Sequence, residues 1–255
     1  MREVSVVEVA AGVHLVDGGH TNWVVLAEGD QVTLVDTGYP GDRRKLLASL
    51  AALGHRPESV CAVLVTHAHS DHLGSARYLH ARHGIPVLLH EAEVPHARRE
   101  FLHQIAPGTV LRNLWRPRML RWTVRVVRSG ALADVRVAAA RAFDHTAPLD
   151  LPGRPVPVPT PGHTLGHTAF HLPAAGVLIS GDALVTGHAL TPQPGPRLLP
   201  DLFHHDRSLT VAALDTLEPL PADVLLPGHG PVHRGPLREA VARARELAGG
   251  HPDGR

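Results

Sequence analysis

The segment from Thr66 to His72 is the feature that most constrains how this chain can fold. It places three histidines and one aspartate within positions 67–72, directly after the apolar stretch 60–65. An apolar stretch of this length followed by a polar run predicts a strand that leads into a short loop and then a helix. Such a loop can direct several side chains to one point, and imidazole nitrogens and carboxylate oxygens are ligands that zinc and related metals prefer. The segment therefore indicates a metal site at a strand end.

Short apolar runs separated by turn residues divide the rest of the chain. Strands are predicted at 4–9, 13–16, 23–27, 32–35, 60–66, 86–89, 156–158, 169–172, 177–180 and 223–226. Helices are predicted at 43–53, with Asp42 as the N-cap, and at 73–83, 207–217 and 236–247. Strands followed by helices occur twice, which predicts an α/β fold. We expect an αββα sandwich of two mixed β-sheets covered by helices on both outer faces.

Residues 91–147 have few strand signals, and we predict that they form a helical insert in a single domain over 1–255. Between His96 and Arg128 the segment has eight arginines and one acid, Glu100, interleaved with large apolar residues. Three interpretations stay open. The insert is a cap that forms a substrate pocket over the metal edge, a contact in a homodimer, or a solvated helical face.

Composition limits the classes of partner. With 255 residues, 44% hydrophobic residues and a net charge of +1, the chain is expected to be a soluble globular protein that neither binds a membrane nor favours nucleic acid. It has one lysine and 24 arginines, so arginine alone is weak evidence of a nucleic-acid site. There is no apolar stretch of about 18 residues and no basic segment before an apolar core, so we expect no membrane-spanning helix, no signal peptide and a cytoplasmic location.

Three more candidate ligands follow predicted strand ends. His163 lies in Thr-Pro-Gly-His-Thr at 160–164, Asp182 in Ser-Gly-Asp at 180–182, and His229 in Pro-Gly-His-Gly at 227–230. Each has a neighbouring glycine, which permits tight turns and close backbone approach. All three can therefore reach the same edge of a sandwich as the segment 66–72.

Together these elements resemble the metallo-β-lactamase superfamily, whose pattern is His-x-His-x-Asp-His and then a His, an Asp and a His, each after a strand. The resemblance covers residues 10–90 and 150–235 and includes Asp36 in Val-Asp-Thr-Gly. It implies a site for two divalent metal ions. One metal would bind His67, His69 and His163, the other would bind Asp71, His72 and His229, and Asp182 would bridge the two.

The resemblance also implies a chemistry, a metal and supporting residues. A hydroxide that bridges the metals would attack a carbonyl, since metal binding lowers the pKa of water to about 7, and Asp71 would orient it and take its proton. Zinc is the expected metal, with iron and manganese as alternatives. Asp36 either caps its turn or supports the metal loop, and His167 supports the site from outside the ligand set. His188 and His204 are expected in loops, with pocket lining as the alternative.

Asp182 separates the chain from antibiotic-cleaving metallo-β-lactamases, which lack a bridging aspartate, and groups it with glyoxalase II-like thioesterases and lactonases. Glyoxalase II has a C-terminal region longer than the 26 residues after His229, and Val185 stands where acyl-homoserine lactonases usually have a tyrosine. We therefore expect a metallo-hydrolase that cleaves an ester, thioester or lactone of a small acyl substrate. The alternatives are a persulfide dioxygenase with one iron, which would use only His67, His163 and Asp182, and a phosphodiesterase or nuclease.

Overall fold

The first half of the chain builds a mixed β-sheet. The structure is a computed structural model that describes residues 5–191 and 194–249. Seven described strands lie side by side in chain order, antiparallel from the first to the fourth and parallel from the fourth to the seventh. They are β1 (Ser5–Ala10), β2 (Val13–Asp17), β3 (Asn22–Glu28), β4 (Gln31–Val35), β5 (Val60–Leu64), β6 (Val87–Leu89) and β7 (Arg141–Ala142).

The second half builds a five-stranded mixed sheet within the same described ranges. Its strands are β8 (Val156–Pro159), β9 (Thr168–Leu172), β10 (Val177–Gly181), β11 (Val224–Pro227) and β12 (His233–Arg234). Their spatial order is β12-β11-β10-β9-β8, in which only β10 and β11 pair in parallel. The strands β8 and β10 run in the same direction, because both are antiparallel to the strand between them.

Helices follow the strands, and several are short. They are α1 (Arg43–Ala52), α2 (Ser70–Leu73), α3 (Ala76–His83), α4 (Val94–Ala97), α5 (Pro107–Asn113), α6 (Pro117–Arg128), α7 (Arg207–Ala212), α8 (Leu214–Leu217) and α9 (Leu237–Gly249). None of the described helices combines the length and apolar composition needed to cross a lipid bilayer.

Alternation of side chains along the strands produces three apolar layers. On β3, Leu26 packs between the two sheets with Phe170, while Val25 packs on the outer face against Leu50 of α1. On β10, Leu178 faces outward and packs in the cluster that includes helices α8 and α9. Each fully buried side chain of this size contributes about 1.5–3 kcal/mol. The predicted αββα sandwich is therefore confirmed, with helices on both outer faces of the paired sheets.

Several predicted boundaries are wrong. The helix predicted at 73–83 begins only at Ala76, because Leu73 ends the short helix α2 and Gly74 donates its N–H to the carbonyl of Gly38 (3.0 Å). Asp42 stands at the N-cap position of α1, but its carboxylate accepts from the N–H of Tyr39 (3.2 Å) and pairs with Lys45 (3.0 Å) instead of capping the helix. The helix predicted at 207–217 is divided at Ala213.

The segment 91–147 is mostly helical in its regular structure, with α4, α5 and α6. It also contains the two-residue strand β7, which the sequence did not predict; the short strand β12 was missed as well. Val4, the first residue of the predicted strand 4–9, lies outside the described residues. The organisation as a single domain over 1–255 stays a prediction.

Candidate metal centre

The carboxyl ends of five strands meet at one edge of the sandwich. Asp36 follows β4, the segment 66–72 follows β5, His163 follows β8, Asp182 follows β10 and His229 follows β11. Two backbone hydrogen bonds join the two sheets there, from Asn22 to Gly228 (2.8 Å) and from Thr168 to Thr66 (3.0 Å). The fold therefore brings all seven predicted ligand residues together.

His67, His69 and His163 form what we call the first sub-site. Their nitrogens Nε2, Nδ1 and Nε2 lie 3.0–3.2 Å from one another. Zinc–nitrogen bonds of about 2.0–2.1 Å in a tetrahedral site would separate such nitrogens by about 3.4 Å. The three imidazoles therefore fit one metal ion with little adjustment.

The outward nitrogens of two of these rings are held by oxygen partners. Nδ1 of His67 lies 3.1 Å from the hydroxyl of Thr66, and Nε2 of His69 contacts the carbonyl of His103. A hydrogen bond at one ring nitrogen fixes the tautomer and leaves the other nitrogen free to bind a metal. Both rings are thus oriented toward the centre of the sub-site.

Asp71, His72 and His229 form the second sub-site. Oδ2 of Asp71 lies 3.8 Å from Nε2 of His72 and 3.5 Å from Nε2 of His229. Nδ1 of His72 bonds to Asp36 (2.8 Å), and Nδ1 of His229 donates to the carbonyl of His20 (2.6 Å). These three side chains could also hold a metal ion, again with the second ring nitrogen anchored.

Asp182 lies between the two sub-sites. Its Oδ2 is 3.5 Å from Nε2 of His163 and 3.3 Å from Nε2 of His229, while Oδ1 is 3.5 Å from Nε2 of His72. Within the part of the chain that the structure describes, Oδ1 of Asp182 and Nε2 of His72 are buried without a hydrogen-bond partner. Leaving a buried polar atom unpaired costs about 1–3 kcal/mol. A cation would meet that demand, so the donor set fits a metal-binding role.

Asp36 contacts the metal loop directly, which favours the second of the two interpretations of this residue. One carboxylate oxygen accepts the N–H of Thr66 (2.8 Å), and the other accepts its hydroxyl (2.9 Å) and bonds to His72. The backbone of Asp36 has a φ of 64°, an uncommon conformation that aspartate tolerates better than most residues. This turn aims the carboxylate at the ring of His72.

His167 supports the backbone of Asp182. Its Nε2 accepts the N–H of Asp182 (3.0 Å), and its Nδ1 lies 2.8 Å from the hydroxyl of Thr160. The neighbouring backbone is close: a Cβ on Gly181 would lie 2.8 Å from Nε2 of His167, at a φ of 51° that suits glycine. His167 thus lies outside the ligand set, where the sequence placed it, and anchors the backbone of Asp182.

The two sub-sites differ in their protonation. Burial lowers the pKa of His67 and His163 well below the usual range, and burial together with His96 lowers that of His69 to about 4. Burial also lowers the pKa of His72 and His229, but the carboxylates around them, Asp182 foremost, outweigh it and raise both. Neutral imidazole is the form that binds a metal.

Asp182 is the ionised counterpart of these rings. Burial raises its pKa, but His229 and His72 outweigh that effect and lower it well below the usual range. Its side chain is 3% exposed, whereas that of Asp71 is 16% exposed. Asp71 is therefore on the more open side of the centre, toward solvent.

An aromatic wall lies beside the second sub-site. The ring of Trp122 on α6 lies 5.4 Å from Phe203 and 6.1 Å from His188, whose own ring is 5.3 Å from His229. His204 similarly lies 5.5 Å from His163, ring to ring. His188 and His204 are loop residues, as expected, and both lie at the metal edge, which favours the alternative that they line the pocket.

Sequence reasoning missed Glu93. Its carboxylate is 1% exposed and contacts the loops that carry the first sub-site. Burial raises its pKa, but the hydrogen bonds from His96 and from the N–H of Ala68 outweigh this and lower it to about 2. A signal was available, because Glu93 follows the strand 86–89 at the same sheet edge as the predicted ligands.

Comparisons with known proteins agree with this architecture. A family model described as the metallo-beta-lactamase superfamily matches residues 16–229. A metallo-beta-lactamase family protein from Thermus thermophilus, TTHA1429, is 26% identical in its solved structure, with a TM-score of 0.64 over 95% of this chain and 80% of that one. The solved structure of TTHA1623 in a di-iron-bound form is 25% identical, with a TM-score of 0.58 over 88% and 93%.

One similar protein has a named activity. The hydroxyacylglutathione hydrolase of Rhodobacter capsulatus is 28% identical over 154 residues, which are 60% of this chain. The match spans 45% of that relative, so more than half of the relative has no counterpart in the matched region.

Proposed function

The chain belongs to the metallo-β-lactamase superfamily, and on that premise we propose that it is a dinuclear metallo-hydrolase that cleaves an ester, thioester or lactone bond of a small molecule. The observation that carries the proposal is the position of Asp182. Its two oxygens lie 3.3–3.5 Å from imidazole nitrogens of both sub-sites. A carboxylate so placed suits a pair of cations that share one ligand.

Two bound divalent ions would supply a nucleophilic water of lowered pKa and would polarise the carbonyl oxygen of the substrate. Asp71 is the residue best placed to orient and accept a proton, because it lies in the second sub-site and is the more exposed carboxylate. Burial, together with the nearby charge of Asp71, raises the pKa of the Tyr39 hydroxyl well above the usual range, so this hydroxyl stays protonated beside Asp71. The hydroxyl of Thr21 donates to Oδ2 of Asp71 (3.4 Å) and helps to orient the carboxylate.

Zinc is the metal we propose, because nitrogen and carboxylate ligands with open positions are typical of catalytic zinc sites. The same ligands also suit iron and manganese. TTHA1623, which was solved with two irons, supports two ions at such a site and keeps iron as the alternative. The identity of the metal is therefore part of the test below.

The insert supplies the proposed substrate pocket. Trp122 of α6 reaches over to Phe203 and His188, next to His229, so an apolar wall stands beside the second sub-site. Burial together with His229 lowers the pKa of His188 to about 3, so this ring is neutral and adds no charge to the wall. These contacts favour the cap over the homodimer contact and the solvated face, and an acyl group with an apolar part fits such a wall.

Metal analysis and a substrate panel test the proposal together. We expect about two metal ions per chain after preparation without chelator, and chelator-sensitive cleavage of at least one ester, thioester or lactone. Asp71→Asn is the matched variant and should lower kcat while the first sub-site still binds metal. Fewer than about one metal per chain, or full activity in the variant, would overturn the assignment.

The persulfide dioxygenase is distinguished in the same preparation. One iron per chain with oxygen uptake on glutathione persulfide, and no hydrolysis in the panel, would replace the hydrolase. Chelator-sensitive cleavage of phosphodiesters alone would instead point to the nuclease alternative. The cytoplasmic location stays a prediction.

A further inference from the structure

Glu93 is a buried carboxylate outside the ligand set. It ends a 3-10 turn, Glu91–Glu93, just after β6, and it is 1% exposed. A buried charge is strongly destabilising unless hydrogen bonds and a partner compensate for lost hydration. The groups that compensate Glu93 therefore indicate what this residue stabilises.

The hydrogen bonds of Glu93 join two loops. Oε2 accepts the N–H of Ala68 (2.8 Å) and bonds to Nδ1 of His96 (3.1 Å), while Oε1 accepts the N–H of Gly166 (3.0 Å). Ala68 lies between the two histidines that β5 delivers to the first sub-site, and Gly166 lies three residues after His163. One carboxylate thus spans the two segments that carry all three imidazoles.

The fit around this carboxylate is tight. A Cβ on Gly166 would lie 2.9 Å from Cγ of Glu93 and 3.0 Å from its backbone nitrogen. Arg99 donates to the carbonyl of Ala68 (2.9 Å), so the same peptide segment is held from both sides. Small movements of Glu93 would therefore be transmitted to both loops.

The second sub-site has different supports. His72 bonds to Asp36, and the loop before His229 is held by Asn22, whose side-chain amide donates to the carbonyl of Pro227 (2.9 Å). Among the described hydrogen bonds, none links Glu93 to Asp71, His72 or His229.

We propose that Glu93 is a positioning residue for the first sub-site, whose carboxylate sets the separation of the loops 66–72 and 160–167 so that three imidazole nitrogens meet. The inference rests on the proposed metal-binding role of those imidazoles. It predicts that loss of Glu93 weakens one metal site and spares the other.

Zinc binding to the metal-free full-length chain tests this without any substrate. Glu93→Gln keeps the size of the side chain but replaces one acceptor oxygen with an NH2 group, which cannot accept from a backbone N–H. In competition with a chromophoric chelator, we expect one of two sites to weaken about 10–100-fold while the other keeps its wild-type affinity. Cobalt substitution should show the same selectivity as a change in the absorption bands of one site only.

Gly166→Ala is a second variant that displaces Glu93 without removing its charge, and it decides the matter where Glu93→Gln does not fold. Gly108→Ala in α5 is the matched control, because a Cβ there meets nothing within 4 Å. Wild-type affinity at both sites in Glu93→Gln or, where that fails to fold, in Gly166→Ala would overturn the inference, and so would an equal loss at both sites. Wild-type protein that binds no zinc would instead overturn the proposed function, so the two failures are distinct.

Discussion

The two sub-sites of the metal centre use similar imidazoles but reach opposite electrostatic states. In the first, three histidines face one another, and burial lowers the pKa of His67 and His163. In the second, Asp71, Asp182 and Asp36 surround His72 and raise its pKa against the effect of burial. The comparison shows that the neighbouring carboxylates, more than the histidines themselves, determine the pKa of the imidazoles in each sub-site. The first sub-site is supported by Glu93, which bonds to both of its loops, and the second by Asp36, which bonds to His72.

Removal of the carboxylate that faces both sub-sites should have the largest effect on metal binding. Asp182→Asn keeps the shape of the side chain but removes the charge that faces both sub-sites. We expect zinc affinity to fall on the order of 10–100-fold at each sub-site, so that activity at limiting metal falls about 10²–10⁴-fold. Zinc titration of the metal-free variant checks this. A loss confined to one sub-site would mean that Asp182 does not act on both.

The pH dependence of the free energy of unfolding should show how strongly the Glu93 carboxylate stabilises the loops of the first sub-site. Glu93 has a pKa of about 2 in the folded chain against an ordinary 4.5, so its stabilisation is present above pH 4.5 and is lost as the pH falls toward 2. The amide that replaces this carboxylate in the Glu93→Gln variant cannot titrate. The difference in unfolding free energy between wild type and variant should therefore shrink by about 3 kcal/mol in total over that range. Urea denaturation of metal-free protein between pH 5 and 3 measures the slope, and a constant difference would contradict it.

A substitution at Asp36 should affect the second half selectively. Asp36→Asn retains the backbone turn but replaces one oxygen that bonds to Thr66 or His72 with an NH2 group. Loss of a residue that hydrogen-bonds to a metal ligand typically lowers metal affinity about 10–100-fold. We therefore expect a loss of this size at the second sub-site. A smaller effect is expected at the first, through the hydroxyl of Thr66. A larger loss of metal affinity at the first sub-site than at the second would contradict the assignment of Asp36 as a support of the second sub-site.

The smallest effect is expected at the aromatic wall. Trp122→Ala removes an apolar contact beside the second sub-site, and one such contact in a pocket is worth about 1–3 kcal/mol. We expect kcat/KM for an apolar acyl substrate to fall about tenfold, with zinc binding unchanged at both sub-sites. Leu247→Ala, an exposed leucine on α9, is a control with no expected effect. A change in oligomeric state of the Trp122 variant would favour the homodimer interpretation of the insert.

Prediction from the sequence was most accurate for site residues that lie close together in the chain. His67, His69, Asp71 and His72 could be recognised because they follow one apolar strand within a few residues, and such a pattern requires no knowledge of distant contacts. Helix boundaries were less accurate. The start of α3 at Ala76 involves the bond from Gly74 to the carbonyl of Gly38, far earlier in the chain, and no local pattern contains that contact.

The sequence by itself determined the chemical types of the site residues and the strand ends from which they start. It also predicted the αββα arrangement, because strands followed by helices occur twice along the chain. Only the tertiary structure decided that Asp36 bonds to His72, that Glu93 joins two loops, and that Trp122 stands beside the metal edge. These relations join residues 25 to 81 positions apart, and their partners are set by packing of the sheets and the insert rather than by any local preference of the chain.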